Sequence, residues 1–338
     1  MGRTLKRVCL TPRTSGVGGM VTFQHKLSAG FRARGIEVTH DLDGTSYDAV
    51  LVVGGTRRLS ALIGAKNRGI PVIQRLDGMN WLHRRVRTGL RHWLRAELGN
   101  RLLAHIRNKI ATGVVYQSYF VQEWWLDTTG PGPDKEVVIH NGVDLQQFSQ
   151  NPNQTLSRSP VHILMVEGRL MGGYELGLES AASLMRKLNE QGLDVKFLVA
   201  GVVSEKSKAR WNHEAVQWAG VIPNEHLPSL YRSAHMLYSA DLNAACPNSV
   251  IEALACGLPV LAFDTGALSE LVDHDAGRLV PYGGDPWRLD PPDISVLSKA
   301  AMEILDDLPS LQKGSRDRAK KHFGLEKMVE AYIRVLGD

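Results

Sequence analysis

Two hydrophobic rhythms alternate along the chain. Short apolar runs bounded by turn residues predict buried strands at 7–10, 36–39, 49–53, 71–76 and 114–117. The second half offers similar runs at 162–166, 195–201, 219–223, 236–239, 260–263 and 277–281. Between them, apolar residues recur at helical spacing. Met20, Phe23, Leu27 and Phe31 precede Gly35, and later helices are predicted from Glu175 and over 225–233, 268–272, 295–305 and 324–336. Strand, loop and helix repeated in this order predict an α/β fold with parallel sheets and right-handed crossovers. Residues 149–160 are polar and proline-bounded, and they read as a linker between two domains, 1–148 and 161–322.

The densest punctuation lies at 243–266. Ser249-x-x-Glu252 has the form of a capping box, Gly257 sits where a left-handed C-cap residue belongs, and Pro259 forbids continuation. A short helix is therefore predicted, followed by a strand at 260–263. A helix start presents unpaired N–H groups and partial positive charge. Asn248, Ser249 and Val250 can thus offer main-chain donors to a phosphate, and Glu252, one turn in, can accept from two adjacent hydroxyls such as a ribose diol. The competing reading is that Glu252 only closes its own capping box.

Three other stretches carry candidate chemistry. Gly16-x-Gly18-Gly19 follows the first strand, where glycine lets the backbone approach a ligand closely. With Asp41 about 20 residues on, it also reads as a dinucleotide fingerprint that lacks its third glycine, or as a plain tight turn. Arg75-Leu76-Asp77-Gly78 closes the strand at 71–76. Strand ends face the ligand crevice, so Asp77 can orient an acceptor hydroxyl or take its proton, with Arg75 as charge partner; equally, it can turn the chain. The segment 83–109 carries eight cations against Glu97 alone, a net +7 of the chain's +5, so the remainder sums to −2. There Leu90, Trp93, Leu94, Leu98, Leu102, Ile106 and Ile110 share one helical face. That face is either core under a solvated arginine face or a surface that lies on an anionic membrane. Nucleic acid is not expected, since interleaved aromatics and a reader motif are missing.

At 338 residues the chain is long enough for two cores. It has no apolar run of membrane-spanning length and no apolar signal core near its start. Cys9, Cys246 and Cys256 are odd in number and unclustered, which suits a reducing compartment and gives neither a disulfide framework nor a zinc site. The expected location is cytoplasmic, with peripheral contact at the inner face of the membrane through 83–109.

The residues of 243–260 resemble the donor-site signature of the family 4 retaining glycosyltransferases (glycosyl transferases group 1). The resemblance implies a GT-B architecture, two Rossmann-like domains with parallel sheets facing across a cleft. It further implies a final stretch, 323–338, that crosses back to the N-terminal domain. The family's signature is two glutamates separated by seven residues. The second matches Glu252, cast as the ribose ligand; the first, which touches the donor sugar, falls on Ala244. His140-Asn141-Gly142-Val143-Asp144 with Phe148 is similar to the family's hinge. Glu167-Gly168-Arg169-Leu170 is similar to its diphosphate clamp, although the clamp's lysine is missing and Gly173 stands in its neighbourhood. By the resemblance, Arg169 and the start of the helix stabilise the departing diphosphate, and Gly18 and Gly19 approach the donor. Val202 lies under the base. The implied activity is transfer of a hexose from a nucleoside-diphosphate-sugar to a sugar or lipid-linked acceptor, with no metal and no cofactor beyond the co-substrate. A nucleotide-sugar epimerase and a binding protein without turnover are the alternatives.

Overall fold

The computed structural model describes residues 4–16, 18–43, 46–151, 156–157, 159–170 and 175–338. The chain divides into two compact units, Met1–Gly142 together with Leu325–Asp338, and Val143–Gly324.

In the first unit the chain runs β1 (Arg7–Thr11), α1 (Gly19–Arg32), β2 (Glu37–Thr39), β3 (Ala49–Val53), α2 (Leu59–Asn67), β4 (Val72–Leu76), α3 (Leu90–His105), β5 (Gly113–Tyr116), α4 (Tyr119–Thr129) and β6 (Glu136–Val138). The strands form one parallel sheet in the order β2-β1-β3-β4-β5-β6. Ala49–Val53 and Val72–Leu76 are buried along their whole length, as expected of strands covered on both faces. β6 escaped the sequence reading because it is an edge strand of half-buried residues, with no apolar run to announce it.

The last helix also belongs to this unit. Met328, Val329, Tyr332, Val335 and Leu336 recur at helical spacing and pack with Phe23, Leu27 and Phe31 of α1. Gly30 makes the close approach possible, because a Cβ there would lie 2.5 Å from Val329 Cγ2.

The second unit runs β7 (Val161–Leu170), α5 (Leu176–Glu190), β8 (Val195–Val203), α6 (Glu205–Arg210), β9 (Val216–Gly220), α7 (Leu227–Arg232), β10 (Met236–Ser239), α8 (Asn248–Ala255), β11 (Val260–Phe263), α9 (Leu268–Leu271), β12 (Gly277–Val280), α10 (Ile294–Asp306) and α11 (Leu308–His322). Leu325–Gly337, in the first unit, is then α12. The sheet of the second unit is parallel, in the order β12-β11-β10-β7-β8-β9. Two cores flank it. Ile163, Met165, Phe197, Tyr238 and Leu261 point to α5 and α10; Leu164, Leu237, Val260 and Ala262 point to α8. This is the period-two alternation of strands buried on both sides.

Several expectations move. The strand expected at 219–223 lies at Val216–Gly220, since Gly220 takes a φ of 66° and turns the chain out. α11 was not foreseen; its surface is strongly charged and only Leu311, Ser315 and Ala319 are buried. Residues 143–148, which the sequence places in the first domain, fold with the second unit. Val143 bridges Gly324, and Phe148 is fully buried beside Tyr231.

The segment 83–109 also departs from its expected face. Leu102, Ile106 and Ile110 join a core cluster, but Leu90, Trp93, Leu94 and Leu98 are exposed. Arg107 is not on a solvated face. It is fully buried, donating to Tyr116 Oη at 2.7 Å, Gly130 O at 2.9 Å and Glu136 Oε1 at 3.1 Å.

Candidate active site

In open α/β sheets ligands bind outside the carboxyl ends of the strands, where strand order reverses. In the second unit that point lies between β7 and β10, since the chain steps to β8 and β9 on one side and to β11 and β12 on the other. Glu167, Gly168 and Arg169 stand at the end of β7, with a bulge between Val166 and Arg169 in its pairing with β8. Glu167 is half-buried, and Arg169 is exposed, without an ion pair among the described residues. Gly201 ends the regular part of β8 at a φ of 138°. A Cβ there would lie 2.0 Å from the Glu167 carbonyl oxygen, so only glycine admits this approach. Val202, half-buried, follows it.

α8 rises from the same edge. Its N-cap is Pro247, not Ser249, and no side chain caps it. The expected capping box is therefore absent: Ser249 and Glu252 both lie inside the helix, and Glu252 does not fold back onto the start. The first turn also carries no acidic residue. The N–H groups of Asn248, Ser249 and Val250 are thus left for an external acceptor, on a helix whose dipole favours an anion. The other end matches expectation. Gly257 takes a φ of 73°, its N–H donates to Leu254 O at 3.0 Å, and Leu258 N–H donates to Ala253 O at 2.9 Å, closing a Schellman turn.

Glu252 is only 5% exposed and accepts from the Tyr231 hydroxyl at 3.2 Å. Burial, together with the Glu252 carboxylate, pushes the Tyr231 phenol well above its ordinary value, so it stays a proton donor to that carboxylate. Tyr231 was not singled out from sequence. Its only local signal was an apolar helix position, because it meets Glu252 through tertiary packing alone. Cys256, next to this pair, is pushed up to about 12 by burial and is inert as a nucleophile. Ala244 is buried in the loop before α8. Its carbonyl accepts from Ala267 N–H at 2.9 Å, and a Cβ on Gly266 would lie 2.5 Å from its nitrogen. Gly173 lies outside the described residues. A cavity of 330 Å³ beside the start of α5 is lined by Tyr238, Phe263, Tyr282 and Ile294, and by none of the predicted donor residues among those described.

The remaining candidates are in the first unit. Gly18, at a φ of 141°, caps α1, and its carbonyl accepts from Val21 and Thr22 N–H at 3.1 Å; Gly19 is the first helical residue. Asp41 turns its own chain by accepting from Asp43 N–H at 2.9 Å and lies 3.9 Å from Arg58. Asp77, half-buried at the end of β4, has its pKa raised by loss of water, opposed by the nearby Arg75 charge and by its own backbone. Arg75 acts on Asp77 through its charge, without an ion pair among the described residues. Its guanidinium lies 3.8 Å from the Phe23 ring centroid and donates to Asn141 Oδ1 at 2.9 Å. Trp125 Nε1 donates to Asp77 O at 2.8 Å, and a Cβ on Gly78 would lie 2.5 Å from the Trp124 ring, so α4 sets the shape of this turn.

Two parallel-sheet units of this kind define a GT-B fold. Solved structures agree over nearly the whole chain. Sucrose-phosphate synthase from Thermosynechococcus elongatus covers 97% of this chain and 97% of its own, at a TM-score of 0.74 and 16% identity. HepE of Anabaena, solved with UDP and glucose, covers 98% and 99% at a TM-score of 0.68 and 15% identity. Residues 161–307, most of the second unit, match the family model described as Glycosyl transferases group 1. Among curated relatives, the D-inositol 3-phosphate glycosyltransferase of Kineococcus radiotolerans is 26% identical over 241 residues, 63% of this chain and 55% of that protein. The D-inositol 3-phosphate glycosyltransferase of Corynebacterium kroppenstedtii is 27% identical over 175 residues, 46% of this chain and 38% of that protein. The chain thus spans between a third and about half of the length of the curated relatives it matches.

Proposed function

We propose that the chain transfers a hexose, with retention, from a nucleoside-diphosphate-sugar to an acceptor hydroxyl in glycan or glycolipid synthesis, without a metal. The observation that carries the reading is the uncapped start of α8 at the switch point, with the Tyr231-held carboxylate of Glu252 one turn in. The N–H groups of Asn248, Ser249 and Val250, with Arg169, take the charge that grows on the diphosphate as its bond to the anomeric carbon breaks. They are fixed in place before reaction, so little reorganisation opposes them. Glu252 holds the ribose, Val202 lies under the base, and Gly173 adds a backbone donor. Asp77, whose desolvated carboxyl favours holding a proton, orients the acceptor or takes its proton. Asp41 is engaged with its own turn, which weighs against the nicotinamide reading.

A thermal-shift panel of UDP, GDP, ADP and NAD, with and without Mg²⁺, tests this. A ligand at about 100 times its dissociation constant stabilises by about 2.7 kcal/mol. One nucleoside diphosphate should shift the melting temperature independently of metal. A shift with NAD alone would sink the proposal. Free nucleoside diphosphate released from the matching donor separates transfer from epimerisation, and binding without any turnover favours the binding protein.

We also infer that α3 lies on an anionic membrane. Leu90 is 74% and Leu98 61% exposed, Trp93 and Leu94 share their face, and Arg87, Arg91, Arg95 and Arg101 are exposed around it. An apolar face ringed by cations is complementary to a negatively charged bilayer, each cation contributing roughly 1 kcal/mol near the surface. Co-sedimentation should show binding to vesicles containing phosphatidylglycerol and little to pure phosphatidylcholine. Leu90→Glu with Leu98→Glu should abolish it. Equal binding to both vesicles, or none to either, would refute this surface.

A further inference from the structure

We propose that Glu167 and Asp241 form the sugar-selecting pair of this chain, binding neighbouring hydroxyls of the hexose that the donor brings. The proposal rests on the donor reading above and adds residues to it.

The two carboxyls stand at the carboxyl ends of β7 and β10, the adjacent strands between which the sheet order reverses. Both are half-buried, so water is stripped from them while a ligand still has access. Burial and the charge of Asp241 raise Glu167 well above the usual carboxylate range, and burial pushes Asp241 up to about 7. Two desolvated carboxyls whose charges oppose one another favour keeping a proton. Such a pair offers one donor and several acceptors, the complement of a vicinal diol.

A second observation points to a ligand at the same place. Among the described residues, Ser239 Oγ and Asn243 Nδ2 have no hydrogen-bond partner, and each residue is only 5% exposed. They flank Asp241 in sequence, at the end of β10 and in the loop that follows. Asn243 is also held at a φ of 56°, a conformation that few residues other than glycine adopt. Buried polar atoms without partners are rare, because each costs roughly 1–3 kcal/mol. A ligand with hydroxyl and ether oxygens would satisfy both.

Charge narrows the ligand. A diphosphate is repelled by the pair and is served by Arg169 and the start of α8. A metal ion is disfavoured because the unpartnered atom of Asn243 is an N–H donor, and among the described residues no group of three His, Cys, Asp or Glu could hold one. The neutral, hydroxyl-rich part of the donor remains. Two carboxyls and two orphaned polar groups distinguish hexose epimers by which hydroxyls they can pair, and an unmet pairing in a desolvated site is costly.

The test compares Glu167→Gln and Asp241→Asn with the unmodified chain by calorimetric titration. The probes are UDP, GDP and ADP and their glucose, galactose, mannose and N-acetylglucosamine conjugates. Both variants preserve shape, and Asp241→Asn removes a desolvated acid, so folding should persist; melting curves check this. Expected is an affinity for the bare nucleoside diphosphate within twofold of the unmodified chain, with the preferred sugar conjugate weakened tenfold or more and the ranking of sugars altered. Equal affinities for the conjugate in all three proteins, or equal loss of conjugate and bare nucleotide, would overturn the pair's role while leaving the donor site standing. No nucleotide binding by the unmodified chain would overturn the donor reading and this role with it. Stabilisation of the unmodified chain by Mg²⁺ alone, lost in Asp241→Asn, would overturn it in favour of a cation site.

Discussion

Glu252 is where a structural role and a binding role can be separated by size of effect. Its carboxylate is buried and accepts from Tyr231 Oη at 3.2 Å. Glu252→Ala leaves that hydroxyl buried without its acceptor, which costs about 1–3 kcal/mol, and a cavity adds to it. The alanine variant should therefore melt lower whatever Glu252 binds. Glu252→Gln keeps the volume and an oxygen that can accept from Tyr231, so its stability should change by about 1 kcal/mol or less. What it loses is charge. A hydrogen bond to a charged group contributes about 1.5–3 kcal/mol against about 1 for a neutral one. Two ribose hydroxyls on the carboxylate thus predict a loss of about 1–3 kcal/mol, roughly 10- to 100-fold in affinity. Titration calorimetry of the nucleoside diphosphate that stabilises the unmodified protein reads this directly. An affinity within twofold in a well-folded Gln variant would refute the ribose assignment and leave Glu252 with a structural role as an acceptor for Tyr231.

Other perturbations follow from the same packing. Gly201→Ala places a Cβ 2.0 Å from the Glu167 carbonyl oxygen at a φ of 138°, so chemical denaturation should show a loss of about 3 kcal/mol or more. Arg107→Ala strands Glu136 and the Tyr116 hydroxyl beside an emptied site, and should cost about 3–5 kcal/mol by the same assay. Asp241 binds its proton up to about 7 in the folded chain but releases it near 4 when unfolded. The folded state therefore holds more protons between those values, and this group's contribution to stability falls as pH rises through that window. Denaturation midpoints at pH 5 and pH 8 should differ less in Asp241→Asn than in the unmodified chain.

How much was legible follows from which interactions are local. The strands at 49–53 and 260–263 announced themselves because strands buried on both faces must be apolar throughout. The Gly257 turn was equally legible, because a φ of 73° strongly favours glycine. The N-terminus of α8 was misread because Ser249 and Glu252 have the spacing of a capping box, yet Pro247, a residue with fixed φ, opens the helix two positions earlier. The arginine-rich segment was ambiguous because periodicity reports that a helix has an apolar face, not what covers it. In the fold Leu102, Ile106 and Ile110 find a core and Leu90, Trp93, Leu94 and Leu98 do not.

The sequence by itself determined the α/β class, nearly all of the strands and the turn at Gly257 that ends α8, because alternation, helical period and turn chemistry are properties of neighbours along the chain. Tertiary structure alone decided the rest. It set Tyr231 against the Glu252 carboxylate across 21 residues and buried Arg107 among the groups of β5 and β6. It also set Glu167 and Asp241 on and just beyond the adjacent strands β7 and β10. Those pairings depend on strand order and helix packing, and a carboxylate's partner and its loss of water are fixed by what folds over it, which no local pattern records.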